Sequence, residues 1–318
     1  MKIPKVTIII PNYNGASILY KSKPLIKNCL DSLKITSYKN YNIVVTDDCS
    51  TDNSIKYLKH NYPYVFLTKT RENGGYSKNT NNGIKYAIKR FKPDYIIQYN
   101  DDIIMADKYW INKLVKIAEK DKNIGTVGCK LIYADGRIQS TEYNVGSVPR
   151  YIGRTEPDNG LYDYIRETTG VSAALVLMRF SAVEKIGLLD ENYYMGFDDA
   201  DYAIRTRQAG YKIVYNGKLK ATHLESATNP ANVSDKRFYL VQVGYMYFAF
   251  KHLNPLQISN AILHELLGAV FTIDAPGETR GISHLRFRNK PLWRLAVSIK
   301  AIFEGHSTYT HGRKASSS

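Results

Sequence analysis

The apolar positions of this chain fall in short blocks separated by polar clusters. "KVTIII" (5–10) is a continuous, mostly β-branched run of the kind that fills a strand buried on both faces, and it stops at Pro11. "PLIKNCLDSL" follows with Leu25, Ile26, Cys29, Leu30 and Leu33 at helical spacing. "YNIVV" predicts a second strand, and "STDNSIKYLKHNY" a helix capped by Ser50 or Asp52. "YVFLTKT", "NNGIKYAIKRF" and "YIIQY" then predict a third strand, a third helix and a fourth strand. Parallel neighbours need crossovers, usually helical, so the expected class is α/β: a mostly parallel central sheet with helices on both faces.

In such sheets ligands sit beyond the carboxyl ends of the strands. The polar clusters fall there. "PNYN" leaves the first strand, "TDDCSTD" the second, "RENGGYSKNTNNG" follows the third and "NDD" leaves the fourth, so one rim collects nearly every unusual polar residue.

After Gly125 the pattern loosens. "GTVGCKLIY" predicts a strand, and 134–167 a loop and hairpin without clear period. "TTGVSAALVLM" predicts a strand and "SAVEKI" a short helix. "DDADYAIRTRQAG" predicts a helix closed by Gly210, and "YKIVYNG" a strand leading to His223. From about 235 the chain turns to helices with basic faces, "RFYLVQVGYMYFAFKHL" and "PLWRLAVSIKAIFEG", with 11 Lys and Arg against 5 Asp and Glu. The tail "THGRKASSS" is expected to be disordered.

Composition narrows the classes. The three cysteines, Cys29, Cys49 and Cys129, are odd in number and widely spaced, which suggests neither a disulfide framework nor a paired-cysteine zinc site. The start has too short an apolar run for a signal peptide, and "ISNAILHELLGAVFTI" (258–273) falls below the roughly 18 to 20 residues of a membrane span. The expected setting is cytoplasmic. A formal charge of +15 attracts something anionic: nucleic acid, an acidic membrane surface or phosphorylated metabolites. The basic C-terminal helices leave three roles open: lying on anionic lipid as a peripheral membrane element, packing on the rest of the chain, or joining a homodimer.

Several residues carry candidate chemistry. Asp101 and Asp102 repel each other and are tolerated in a solvated turn or where a cation or donors compensate; the buried strand before them holds them in place. A divalent ion shared with substrate phosphates, as Mg²⁺ often is, fits better than an all-protein cage. Asp48, one strand earlier, is either a helix cap or an acceptor for a base or ribose hydrogen bond. "RENGGYSKNTNNG" has neither phosphate-loop glycine pattern, which argues against a P-loop ATPase or a dehydrogenase. Asp198, Asp199 and Asp201 open a helix, where its dipole stabilises them; Asp201 stands i,i+4 from Arg205 as an ion pair, and Asp199 is the candidate base. His223 is a structural histidine or a metal ligand.

Taken in order, "VTIIIPNYNG", "IVVTDDCSTDNS", "ENGGYSKNTNNG", "YNDDI", "GLLDENYYMGFDDADYAIRTRQAGYKIVY" and "THLES" resemble glycosyltransferase family 2, most closely its rhamnosyltransferase-like branch. The resemblance implies a Rossmann-like GT-A fold and inverting transfer from a nucleotide-diphosphate sugar, UDP- or dTDP-linked, to a glycan or lipid-linked acceptor. It implies that Pro11 and Tyr13 line the base pocket, Asp48 binds the base, Asn73 lies in the nucleotide loop and Asp101 lies near the ribose. It further implies that Asp102, approached by His223, holds Mn²⁺ or Mg²⁺ on the diphosphate and that Asp199 is the general base. Asp198 departs from the family, which commonly has Glu there. The domains this implies are a catalytic domain over 1–234, with a nucleotide-binding half to about 103 and an acceptor-binding half from 104, and a basic helical extension over 235–318. Two other readings are a nucleotide-sugar-binding module without turnover and a basic nucleic-acid-binding protein. The second explains the charge but not the acids on one rim, so nucleic acid is not an expected partner.

Overall fold

The computed structural model describes residues 3–145, 150–224, 235–271 and 291–316. The first apolar run becomes β1 (Val6–Asn12), buried at every position. It continues past the predicted stop because its pairing with the fourth predicted strand ends at Ile9 opposite Gln98, which leaves Pro11 with one neighbouring strand and no ladder bond to lose on the other side. A two-stranded ribbon follows, β2 (Leu19–Tyr20) and β3 (Lys23–Pro24). Then come α1 (Leu25–Leu33), β4 (Tyr41–Asp47), α2 (Ser54–Asn61), β5 (Phe66–Lys69), α3 (Gly75–Phe91) and β6 (Tyr95–Tyr99). The second half contains β7 (Ile103–Ile104), α4 (Trp110–Ala118), β8 (Ile124–Ile132), β9 (Ile138–Ser140), β10 (Glu142–Asn144) and β11 (Arg150–Tyr151). It continues with β12 (Ile165–Thr168), β13 (Gly170–Val171), β14 (Leu175–Arg179), α5 (Phe180–Ile186), α6 (Asp198–Gln208) and β15 (Lys212–His223). Helices α7 (Asp235–His252), α8 (Pro255–Phe271) and α9 (Pro291–Ser316) complete the described chain.

The main sheet runs β12-β15-β8-β14-β6-β1-β4-β5. β5, β4, β1 and β6 are parallel, as the alternation predicts, whereas β14 lies antiparallel between β6 and β8. One apolar cluster under the sheet joins Val6, Ile8 and Ile10 of β1 to Leu177 of β14 and Val214 of β15, so both halves share a core.

Three local expectations are corrected. Helix α3 begins at Gly75 rather than at Asn81, so much of the polar "GGYSKNTNNG" stretch is helical. Ser50 does not cap α2: it donates to Asp47 and the helix starts at Ser54, whose N–H goes to Asp52 Oδ1 at 2.8 Å. The tail read as disordered is helical to Ser316. Glu225 and Ser226 of "THLES" and the last two serines lie outside the described residues.

Candidate functional site

The strand exits do converge. They open on one cavity of about 600 Å³, within the size range of small-molecule sites, and Pro11, Tyr13, Asp48, Asn73, Asp101, Asp102, Asp199 and His223 all line it. Every residue singled out from the sequence for binding or chemistry is therefore brought to one place.

On the side of β1 and β4, the Tyr13 ring is 45% exposed and free to stack. Asp48 is buried and holds the following loop: Oδ1 accepts from Gly74 N–H and Thr70 Oγ1, both at 3.0 Å, and Oδ2 from Gly75 N–H at 2.9 Å. Gly75 has φ +82°, and a Cβ there would meet the Tyr194 carbonyl oxygen at 2.4 Å, so only glycine lets this turn approach. Tyr194 closes the turn from the other half of the chain, donating its hydroxyl to Asn73 Oδ1 and accepting the Tyr76 N–H at 2.9 Å.

At the end of β6 the chain turns through Asn100, Asp101 and Asp102 into β7, which pairs antiparallel with β15 so that Ile103 stands opposite His223. The Leu224 N–H bonds the Asp102 carbonyl at 2.9 Å, and this backbone clamp sets Asp102 Oδ1 3.0 Å from His223 Nε2. The other ring nitrogen, Nδ1, lies 3.1 Å from Gln139 Oε1. Burial and then the Asp102 charge push the Asp101 carboxyl well above the ordinary range. Burial also raises Asp102, but a protonated His223 outweighs it and holds the carboxyl low. Without that proton the Nε2 lone pair faces a buried carboxylate oxygen that lacks a hydrogen bond, and the pair has the donor set of a cation site. No third His, Cys, Asp or Glu joins them in a metal-type cluster among the described residues. The set fits an ion that takes its remaining ligands from phosphate and water.

The first turn of α6 presents Asp198 and Asp199 to the same cavity. Asp199 Oδ1 accepts the Ala200 N–H at 2.8 Å, and Oδ2 lies 3.5 Å from the Tyr151 hydroxyl. Burial raises the Asp199 carboxyl to about 6 against the pull of the Ala200 and Ala173 N–H groups and the Tyr151 hydroxyl. Burial and the neighbouring Asp199 charge raise Asp198 further, to about 8. Both carboxyls are thus raised by burial, Asp198 more than Asp199, and the two titrate as a pair. Tyr143 packs edge-on against Tyr151, and Arg154, which also lines the cavity, lies over the Tyr151 ring.

The fourth wall was not foreseen. Arg237, Val241, Gln242 and Tyr245 of α7 share one helical face, and that face lines the cavity. The far end of α7 is anchored rather than solvated: Lys251 Nζ lies 2.6 Å from both Asp190 Oδ2 and Asp201 Oδ1, and His252 Nε2 2.7 Å from Asp201 Oδ1. Arg205 Nε completes the predicted pair with Asp201 Oδ2 at 2.7 Å. At Gly244 the carbonyl oxygens of Met195 and Gly196 would stand 3.1 and 3.0 Å from a Cβ, a measure of how closely α7 lies on the loop before α6. Gln139, Tyr151 and Arg154 were likewise not singled out, because 134–167 shows neither period nor motif. Among the described residues no helix is long and apolar enough to cross a membrane.

Comparison with known proteins gives a consistent result. The family model described as Glycosyl transferase family 2 matches residues 7–187. The O-antigen biosynthesis protein RfbC of Myxococcus xanthus is 24% identical over 255 residues, covering 76% of this chain and 19% of its own length. The N-acetylglucosaminyl-diphospho-decaprenol L-rhamnosyltransferase of Mycobacterium tuberculosis is 23% identical over 257 residues, covering 74% of this chain and 83% of its own. Among solved structures, the Pyrobaculum calidifontis mannosyltransferase PcManGT with GDP-Man and Mn²⁺ superposes with TM-score 0.51 at 15% identity, covering 99% of this chain and 80% of the other. GalNAc-T7 with UDP, GalNAc and Mn²⁺ superposes with TM-score 0.59 at 13% identity, covering 92% and 56%. The shared architecture is the GT-A fold of glycosyltransferases. With its family model spanning more than half of the sequence, this chain belongs to glycosyltransferase family 2.

Proposed function

We propose that this glycosyltransferase moves a sugar from a nucleotide-diphosphate donor to an acceptor hydroxyl by a single, inverting displacement. What carries the reading is that Asp102 with His223 and Asp199 line the same cavity from different elements, the turn after β6, the end of β15 and the first turn of α6. Pro11, Tyr13, Asp48 and Asn73 bind or frame the base, and Asp101 takes the ribose. Asp102 and His223 are the residues that would hold Mn²⁺ or Mg²⁺, whose chemistry when bound is to offset charge growing on the departing diphosphate. Asp199, in its ionised form, takes the acceptor hydroxyl's proton as the acceptor oxygen attacks the anomeric carbon. Attack on the face opposite the leaving group inverts that carbon. Tyr151, partly exposed at the cavity and backed by the buried Tyr143, offers aromatic surface for an acceptor sugar. A lipid-linked acceptor accords with the diphospho-decaprenol in the mycobacterial relative's name and with the basic C-terminal extension. The test is a panel of nucleotide sugars screened by thermal stabilisation with Mn²⁺, followed by transfer assays. One donor should stabilise the protein, transfer should stop in EDTA and resume with Mn²⁺, and the product anomer should be opposite to the donor's. Full activity in EDTA removes the metal role, and a retained anomer removes the single displacement.

A further inference from the structure

Gln139 occupies an irregular point of the sheet. Across the β8–β9 ladder Ser140 stands opposite Leu131 and Ile138 opposite Ile132, so Gln139 is the extra residue between two consecutive pairings, a β-bulge. Bulges re-aim a side chain, and here the amide is aimed at the cavity, where it is 5% exposed and its Oε1 meets His223 Nδ1 at 3.1 Å. The same β8 residue, Ile132, pairs with Thr222 on its other edge, so one strand fixes both the bulge and the approach to His223. The far side of the ring is fixed by the Asp102 backbone clamp.

We propose that Gln139 is a positioning residue that keeps the His223 proton on Nδ1, so that the Nε2 lone pair is aimed at Asp102 and the two form a ready-made cation site. An amide oxygen only accepts, so a ring nitrogen bonded to it carries hydrogen, and the neutral imidazole has one hydrogen to place. With it on Nδ1, Nε2 of the neutral ring can only accept, and the two acceptors 3.0 Å apart are then joined either by a second proton, as in the imidazolium that lowers the Asp102 carboxyl, or by a cation that takes that proton's place. A hydrogen-bonded partner on the non-ligating nitrogen is the usual support of a metal-binding histidine, and its loss costs about 10- to 100-fold in metal affinity. The inference rests on the reading of Asp102 and His223 as the metal side, and it adds the residue that sets their polarity.

The experiment uses the full chain without metal or donor. Two-bond ¹⁵N–¹H correlation spectra of histidine-labelled protein, with His223 assigned by its absence in His223→Asn, read the tautomer at a pH where the ring is neutral. Mn²⁺ alone is titrated by calorimetry and electron paramagnetic resonance into wild type, Gln139→Met and Gln139→Glu. Wild type should show the Nδ1–H tautomer. Gln139→Met should mix the tautomers and weaken Mn²⁺ about 10- to 100-fold with an unchanged circular dichroism spectrum. Gln139→Glu, which keeps the acceptor, should match wild type or bind more tightly. An Nε2–H tautomer in wild type, with the amide donating to Nδ1, overturns the proposal, as does a tautomer that Gln139→Met leaves unmoved. Should wild type show the expected tautomer yet bind no Mn²⁺, the metal reading of the site fails while the role of Gln139 in setting the ring stands.

Discussion

Replacing Asp199 by Asn separates catalysis from binding at a single atom. The amide keeps an oxygen where Oδ1 accepts the Ala200 N–H at 2.8 Å, so the start of α6 stays tied. What is lost is a group at the Oδ2 position able to take a proton. Base catalysis by a positioned side chain contributes about 10² to 10⁴ in rate, which is about 2.7 to 5.4 kcal/mol of barrier at about 1.36 kcal/mol per tenfold. Asp48 and Asn73 bond the 70–75 turn and Tyr194 rather than Asp199, so donor affinity should change by no more than about threefold. Removing the Asp199 charge also removes a cause of the raised Asp198 carboxyl, which should then ionise at lower pH. The assay pairs calorimetry of donor nucleotide binding with initial transfer rates from pH 5 to 9. In wild type the rate should rise with pH through about 6, since only the ionised carboxylate accepts a proton and burial has moved its ionisation up to that value. Asp199→Asn should lose that limb along with the rate. If it transfers at more than a tenth of the wild-type rate, or loses donor binding in proportion to rate, Asp199 is not the base.

Asp201→Ala should destabilise the protein by about 3 to 5 kcal/mol in urea melts, because it removes the carboxylate partner of Arg205 and His252 and leaves Lys251 with Asp190 alone. Its carboxyl is held low: burial raises it, and the His252 hydrogen bond with the Arg205 and Lys251 charges outweighs burial. The stability it contributes is therefore complete above the ordinary carboxylate range and lost as pH falls through and below it, so wild type and Asp201→Ala should converge in stability on acidification. Gly75→Ala should cost about 1 to 3 kcal/mol locally and show as a higher donor KM with kcat less affected, since it strains the turn that Asp48 and Tyr194 hold; an unchanged KM would detach that turn from donor binding.

How much of this was legible depends on whether the physical cause was local. β6 and the acids after it were readable because an apolar run and a pair of like charges are both sequence-local signals. Helix α3 was half missed because its buried face is polar. Asn79 Nδ2 bonds the Thr46 carbonyl of β4 at 2.9 Å and Asn81 Nδ2 the Leu189 carbonyl of the loop after α5 at 2.8 Å, so side chains that normally mark turns are here satisfied by neighbouring backbone. Helix α7 was read as basic-faced, yet Tyr245 to Ala249 are consecutively buried and Lys251 turns inward, because the helix is covered on one side by α6 and its preceding loop and on another by α9. A helix buried nearly all round has no stripe to read. Gln139 carries no signal at all, since its aim comes from a bulge whose other half is on a different strand.

The anchoring of α7 bears on the chemistry because of where Asp201 sits. It follows Asp199 by two residues, and at about 100° per residue the two side chains leave α6 in nearly opposite directions. One short helix thus offers Asp199 to the cavity and Asp201 to Lys251 and His252 of α7. At its other end α7 returns to the cavity through Arg237, whose charge lowers the carboxyl of Asp102. The helix therefore reaches both groups of acids, the α6 acids through a buried ion cluster at Asp201 and Asp102 through the charge of Arg237. Loosening the cluster should then disturb the two sides together, so that Asp201→Ala, if assayed under conditions where it remains folded, loses both donor affinity and turnover. That signature differs from Asp199→Asn, which should lose turnover alone. A stable Asp201→Ala enzyme with wild-type constants would show that α7 braces the fold without shaping the site.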